Sequence, residues 1–120
     1  MKIAFTVLLV LHFLTEAMAA FSLIAGPEGI SAAGLGGQWS MHYGFAALAL
    51  ASASIWVWPF RTNLAAVTAV LGVLLVFHVG LCTSLAVAGD QMAGLVMHAV
   101  LAVLSIFLFT QRKKWCTAAG

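Results

Sequence analysis

Residues 64–88 read LAAVTAVLGVLLVFHVGLCTSLAVA, and Asn63 precedes them. The stretch holds no Asp, Glu, Lys or Arg. A helix needs about 20 apolar residues to cross a bilayer, so this run is long enough to span one. Inside it sits His78, with Cys82 one turn later. Hydrocarbon cannot solvate an imidazole, so His78 requires a partner or a wet pocket. The rest of the chain reads as the helices that surround this one.

Composition agrees. Hydrophobic residues make up 64% of the 120 residues and charged residues 7%. A soluble surface alone is roughly a quarter to a third charged, so the class is membrane. The length allows a single membrane domain over 1–120. A net charge of +2, with no basic patch interleaved with aromatics, excludes nucleic acid as a partner. Asn63 is an N-cap candidate and Gly89 a natural stop for this helix.

Outward from this segment, three more spans follow. The first covers about residues 3–25, with Lys2 before it and Gly26-Pro27 after it. A competing reading takes its start as a signal peptide cleaved after Ala17-Met18-Ala19. The apolar run continues through Phe21 to Ala25, which favours a span. A Gly-rich loop over Gly26 to Gln38 includes a short interfacial turn at Ile30 to Leu35. The second span, about 39–58, has small residues at helical spacing: Ala47 and Ala51, and Ala46, Ala49 and Ala53. Such residues let helices approach closely in lipid. Pro59 ends it. The fourth span covers about 92–109, with Asp90 as its expected cap, and residues 116–120 read as an unstructured tail. The fold class expected is all-α: a transmembrane four-helix bundle, N-in/C-in.

The orientation rests on charge. With four spans, Lys2, Arg61, Arg112, Lys113 and Lys114 all fall on one side, and Glu28 and Asp90 on the other. The positive-inside rule then puts both termini in the cytoplasm, in a bacterial inner membrane. Trp39, Trp56, Trp58 and Trp115 lie at span ends, as an aromatic belt requires. Cys82 and Cys116 fall near opposite faces, which excludes a disulfide between them.

At about 1.5 Å rise per residue, Glu16 lies roughly 20 Å and His78 roughly 21 Å above the inner starts of their helices. His98 lies roughly 9 Å below the outer start of its own. In a core of about 30 Å these are one level, with His42 slightly higher. His12 is one turn below Glu16 on the same face. The expected site is buried in the outer half and built from Glu16, His42, His78 and His98. His78 and His98 are its backed ligands, and Glu16 is a third ligand or their orienter. The bland alternatives are hydrogen bonds between helices for His98 and Glu16, and headgroup hydration for His42. A weak echo relates Met41-His42 to Met97-His98, and His12/Glu16 to His78/Cys82, as in parallel-repeat membrane proteins.

The layout resembles the DoxX-like group of small four-helix membrane proteins. It shares a long first loop, a Trp-Pro turn after the second span and a Gly-Asp turn before the fourth. The resemblance implies a four-helix bundle, in many members uncharacterised and sometimes found beside redox enzymes. Glu16 in the first of four short helices is also similar to the small multidrug transporters, but their pattern around that Glu is absent. No catalytic motif is present: no His-Glu-x-x-His, no Gly-x-Ser-x-Gly and no phosphate loop.

Three functions follow. Neutral imidazoles suit haem, copper or zinc, which points to a metal or haem binder serving as a redox accessory subunit. A proton-coupled transporter would use Glu16 and His78. A structural or assembly subunit would use the polar groups only to lock helices, within a homo-oligomer or a larger membrane complex.

Overall fold

A computed structural model describes residues 1–30, 38–89 and 91–117. The fold is all-α. Its helices are α1 (Lys2–Ala25), α2 (Gln38–Val57), α3 (Leu64–Ala88) and α4 (Met92–Gln111). Short 3-10 turns at Trp58–Phe60 and Arg112–Lys114 follow α2 and α4. All four helices are long and apolar enough to cross a membrane. Their ends fall within two residues of the sequence expectation, the ordinary uncertainty of fraying termini. Contacts divide the chain into two compact units: Met1–Leu8 with Val57–Gly120, and Leu9–Trp56.

The first unit is built on the α3–α4 hairpin. Asn63 opens α3, its side chain accepting from the Ala66 N–H at 3.0 Å. Gly89 closes it in the left-handed region (φ 76°), its N–H donating to the Leu85 carbonyl. A side chain would be strained there, which is why the hairpin turns at a glycine. Gln91 holds the N-cap position of α4 without a side-chain bond. The cap expected from Asp90 lies outside the described residues. Val67, Val70, Leu71, Leu74 and His78 are buried on α3, and His98, Leu101, Ala102, Ser105 and Leu108 on α4. Intervals of three and four put each set on one stripe, and α3 packs against α4 along it. Val73, Val76, Val100, Val103 and Phe107 are exposed, which suits helices solvated by lipid.

The far end of the hairpin is clamped. Thr117 N–H donates to the Thr62 carbonyl at 2.8 Å, and Leu64 N–H donates to the Thr117 carbonyl at 2.9 Å. Asn63 and Thr117 thus form an isolated parallel bridge. This corrects the expected unstructured tail for Cys116 and Thr117; residues 118–120 lie outside the described ones. The start of α1 joins the same end, where the Phe5 and Trp115 rings lie 5.1 Å apart. Both cysteines are free thiols.

The second unit pairs the remainder of α1 with α2. On α1, Leu9, His12, Glu16 and Ala20 are buried. On α2, Gly44, Ala47, Ala51 and Ser54 are buried, all of them small. The approach is close at Gly44, where a Cβ would stand 2.6 Å from Ile24 Cγ1 and 3.1 Å from Leu23 Cβ. Ser40 Oγ donates to the Leu23 carbonyl at 3.2 Å. Of the two small-residue rows on α2, Ala47 and Ala51 face inward, whereas Ala46 and Ala49 are exposed. Of the turn expected at Ile30 to Leu35, only Ile30 falls within the described residues.

Candidate functional site

The chain carries a buried set of three histidines and one glutamate: His12, Glu16, His78 and His98. Each unit holds two of them.

In the hairpin unit, the α3 stripe ends on His78 and the α4 stripe begins on His98. The antiparallel register brings them together. His78 Nδ1 lies 2.9 Å from His98 Nδ1, and the ring centroids are 5.2 Å apart at 34°. Phe77 stands beside both rings, edge-on to His98 at 6.2 Å. One turn further along, Cys82 Sγ lies 4.0 Å from the Leu95 carbonyl. Towards the clamped end the neighbours are Leu74, Leu101 and Ala102, all buried and apolar.

Two Nδ1 atoms at this distance share one proton. One imidazole donates Nδ1–H, and the other must present a bare Nδ1 and, if neutral, carry its proton on Nε2. The tautomers of the two rings are therefore coupled. Two Nδ1 atoms on one tetrahedral metal, with bonds of about 2.0–2.1 Å, stand about 3.3–3.4 Å apart. The pair would need to open by only about 0.4 Å, with the shared proton moved to an Nε2. A bis-imidazole haem instead requires about 4 Å between facing nitrogens with a macrocycle in the gap, given metal–nitrogen bonds near 2 Å. Rings already in hydrogen-bond contact leave no such gap.

In the other unit, His12 Nε2 donates to the Leu50 carbonyl at 2.9 Å. The small residues around Leu50 on α2 let α1 reach that carbonyl. The bond fixes the tautomer: Nε2 carries the proton, so Nδ1 holds the lone pair of the neutral ring. Metal-binding histidines are commonly oriented by such a donation to a backbone carbonyl. Glu16, 1% exposed, lies one turn along the same face, with Tyr43 within its electrostatic reach. A side-chain pair at i and i+4 on one helix can act on a common ligand.

His42 departs from the expected set. It is exposed on α2, with Trp39 edge-on at 6.1 Å. The small-residue stripe fixes the rotation of α2, and His42 lies roughly 160° around the helix from Gly44 at 3.6 residues per turn. The echo between Met41-His42 and Met97-His98 therefore does not extend to burial. The expected ligand set, in turn, left out His12, although its spacing from Glu16 already placed both on one face. Two buried hydroxyls, Ser54 and Ser105, also escaped notice; neither Oγ has a hydrogen-bond partner among the described residues.

No family model matches the chain, and neither the curated proteins nor the solved structures yield a match.

Proposed function

We propose that this small integral membrane protein binds a first-row transition metal, zinc or copper, through its buried imidazole and carboxylate groups. The contact between His78 Nδ1 and His98 Nδ1 at 2.9 Å carries the reading. It is the arrangement two imidazoles adopt when a small displacement and one proton shift would let both ligate one ion. His12, held by the Leu50 carbonyl with its proton on Nε2, is poised in the same sense. Glu16 is proposed as a further ligand or orienting carboxylate, on the depth it shares with His78 in the sequence. His42 is left out, since it is exposed. A haem between His78 and His98 is left out as well, because those rings touch. Nitrogen and carboxylate donors suit zinc or Cu(II).

The proposed setting is a bacterial inner membrane with both termini cytoplasmic, from the one-sided Lys and Arg. A role beside a redox enzyme, alone as a homo-oligomer or within a larger complex, extends the DoxX-like resemblance. The test is metal analysis of detergent-purified protein reloaded with zinc or copper. Near-stoichiometric metal is expected. It should be lost in His78→Ala and His98→Ala and kept in His42→Ala. Equal metal content in all three variants overturns the proposal.

One observation favours a second reading, proton transfer. A single proton bridging two imidazoles can pass from one ring to the other, entering at one Nε2 and leaving at the other. Glu16 would be the further proton carrier on α1. Proton flux into liposomes that falls in both His98→Ala and Glu16→Gln, with no bound metal, would favour this reading.

A further inference from the structure

The hairpin unit gathers the chain's positive charge at its clamped end. The 5 Lys and Arg residues all lie in this unit: Lys2, Arg61, Arg112, Lys113 and Lys114. Three contacts stitch their segments together. The Thr62–Thr117 and Leu64–Thr117 hydrogen bonds set the turn bearing Arg61 against the segment that follows Lys114. The Phe5–Trp115 ring contact draws in the start of α1 with Lys2. Lys2 and Arg112 both lie within electrostatic reach of Cys116. The unit holds no Asp or Glu among its described residues; its one acid in the sequence, Asp90, follows Gly89 at the other end of α3.

These cations fall into two kinds. Arg112 is used internally: its Nε donates to Thr68 Oγ1 at 2.9 Å, and its guanidinium lies 3.9 Å from the Phe109 ring centre. Arg61 lies over the Trp58 ring at 5.1 Å and donates to the Trp58 carbonyl. Lys2, Lys113 and Lys114 are exposed. Beside them Trp58 and Phe60 are exposed aromatics, the residue type that settles at headgroup depth. Among the described residues no acidic side chain offsets these cations, which stand at the level where a bilayer presents phosphates.

We propose that this end, formed by Lys2, Arg61, Lys113 and Lys114 beside Trp58 and Phe60, is a docking surface for anionic phospholipid headgroups. The phosphodiester supplies negative charge to these cations, and the aromatic rings set the depth at which it is met. The surface includes neither His78 nor His98 and does not rest on metal binding.

The test uses the full chain in nanodiscs of neutral phosphatidylcholine, and in nanodiscs with about a third phosphatidylglycerol. The unfolding midpoint should be at least ~3 °C higher in the anionic discs. That shift should fall by more than half in 0.5 M NaCl, where screening leaves electrostatic attraction a range of only a few ångström. The Lys113→Gln/Lys114→Gln variant should lose most of the shift while keeping its midpoint in neutral lipid. Lys113→Arg/Lys114→Arg should keep the shift. Equal midpoints in the two lipids overturn the proposal, as does a shift that survives in the glutamine variant. So does an equal shift produced by inorganic phosphate alone in neutral discs, which would mean a phosphate site and not a lipid one.

Discussion

Replacing His78 and His98 by Leu, singly and together, separates helix glue from a metal site. In the apo protein each single replacement leaves one buried imidazole without its ring partner. An unmade buried hydrogen bond costs about 1–3 kcal/mol. The double replacement removes both groups, so it should cost less than the sum of the singles. Interhelical hydrogen bonds in membranes couple by about 0.6 kcal/mol on average and about 1.7 at most. A coupling in that range is expected in the presence of a chelator. Metal adds a larger quantity. An ion held only by the folded state, at one hundred times its Kd, stabilises by about 2.7 kcal/mol. Wild type should gain about that amount when zinc or copper replaces the chelator, and all three variants should gain much less. Unfolding in detergent, followed by near-ultraviolet dichroism with and without metal, measures both terms. Additivity within about 0.3 kcal/mol would refute the contact itself. A normal coupling with no metal-dependent gain in wild type would leave the pair as glue and refute the metal proposal.

Other outcomes follow from particular contacts. Gly44→Val should cost about 1–3 kcal/mol despite its helix-propensity gain, because even a Cβ there meets Ile24 and Leu23; an unchanged midpoint would show that α1 and α2 do not approach closely. Asn63→Ala should lose about 0.5–2 kcal/mol with the bond to Ala66, read as a lower thermal midpoint. Burial pushes the Cys116 thiol up, while Lys2 and Arg112 pull it partly back. Thiolate is therefore scarce at pH 7, maleimide labelling should accelerate as pH rises, and Lys2→Gln should slow it further. An unchanged or faster rate in that variant would contradict the placement of Lys2. Reporter fusions after Leu35 and after Gly120 should report opposite sides of the membrane; the same side for both would rule out four spans with cytoplasmic termini.

The helices were legible because membrane length, Pro59, Asn63 and Gly89 are local signals that lipid does not override. Rotation about each helix axis was harder, since lipid and protein interior are both apolar and hydrophobicity does not mark the inward face. Small and polar residues mark it instead. On α2, Gly44, Ala47, Ala51 and Ser54 define the inward stripe, and reading it as one row would have turned His42 outward from sequence alone. On α1, the spacing of His12 and Glu16 already put both on one face. The depth match of His78 with His98 was arithmetic, but their Nδ1-to-Nδ1 approach depends on the register of α3 against α4, which no local signal encodes. The pairing of Thr117 with the turn after α2 was illegible for the same reason: a single backbone bridge over 54 positions leaves no side-chain pattern.

That bridge also imposes an order in time. It closes a ring around the α3–α4 hairpin, and its last link lies beyond α4. During synthesis α3 can enter the bilayer and α4 can follow, but the backbone bridge at this end cannot close until Trp115, Cys116 and Thr117 have left the ribosome. Until then the hairpin is held together by its apolar stripes, by the Arg112–Thr68 hydrogen bond and by whatever His78 and His98 share. An assembly step that must act on an open hairpin, such as the ion loading that the metal proposal would require, has its natural window before the ring shuts.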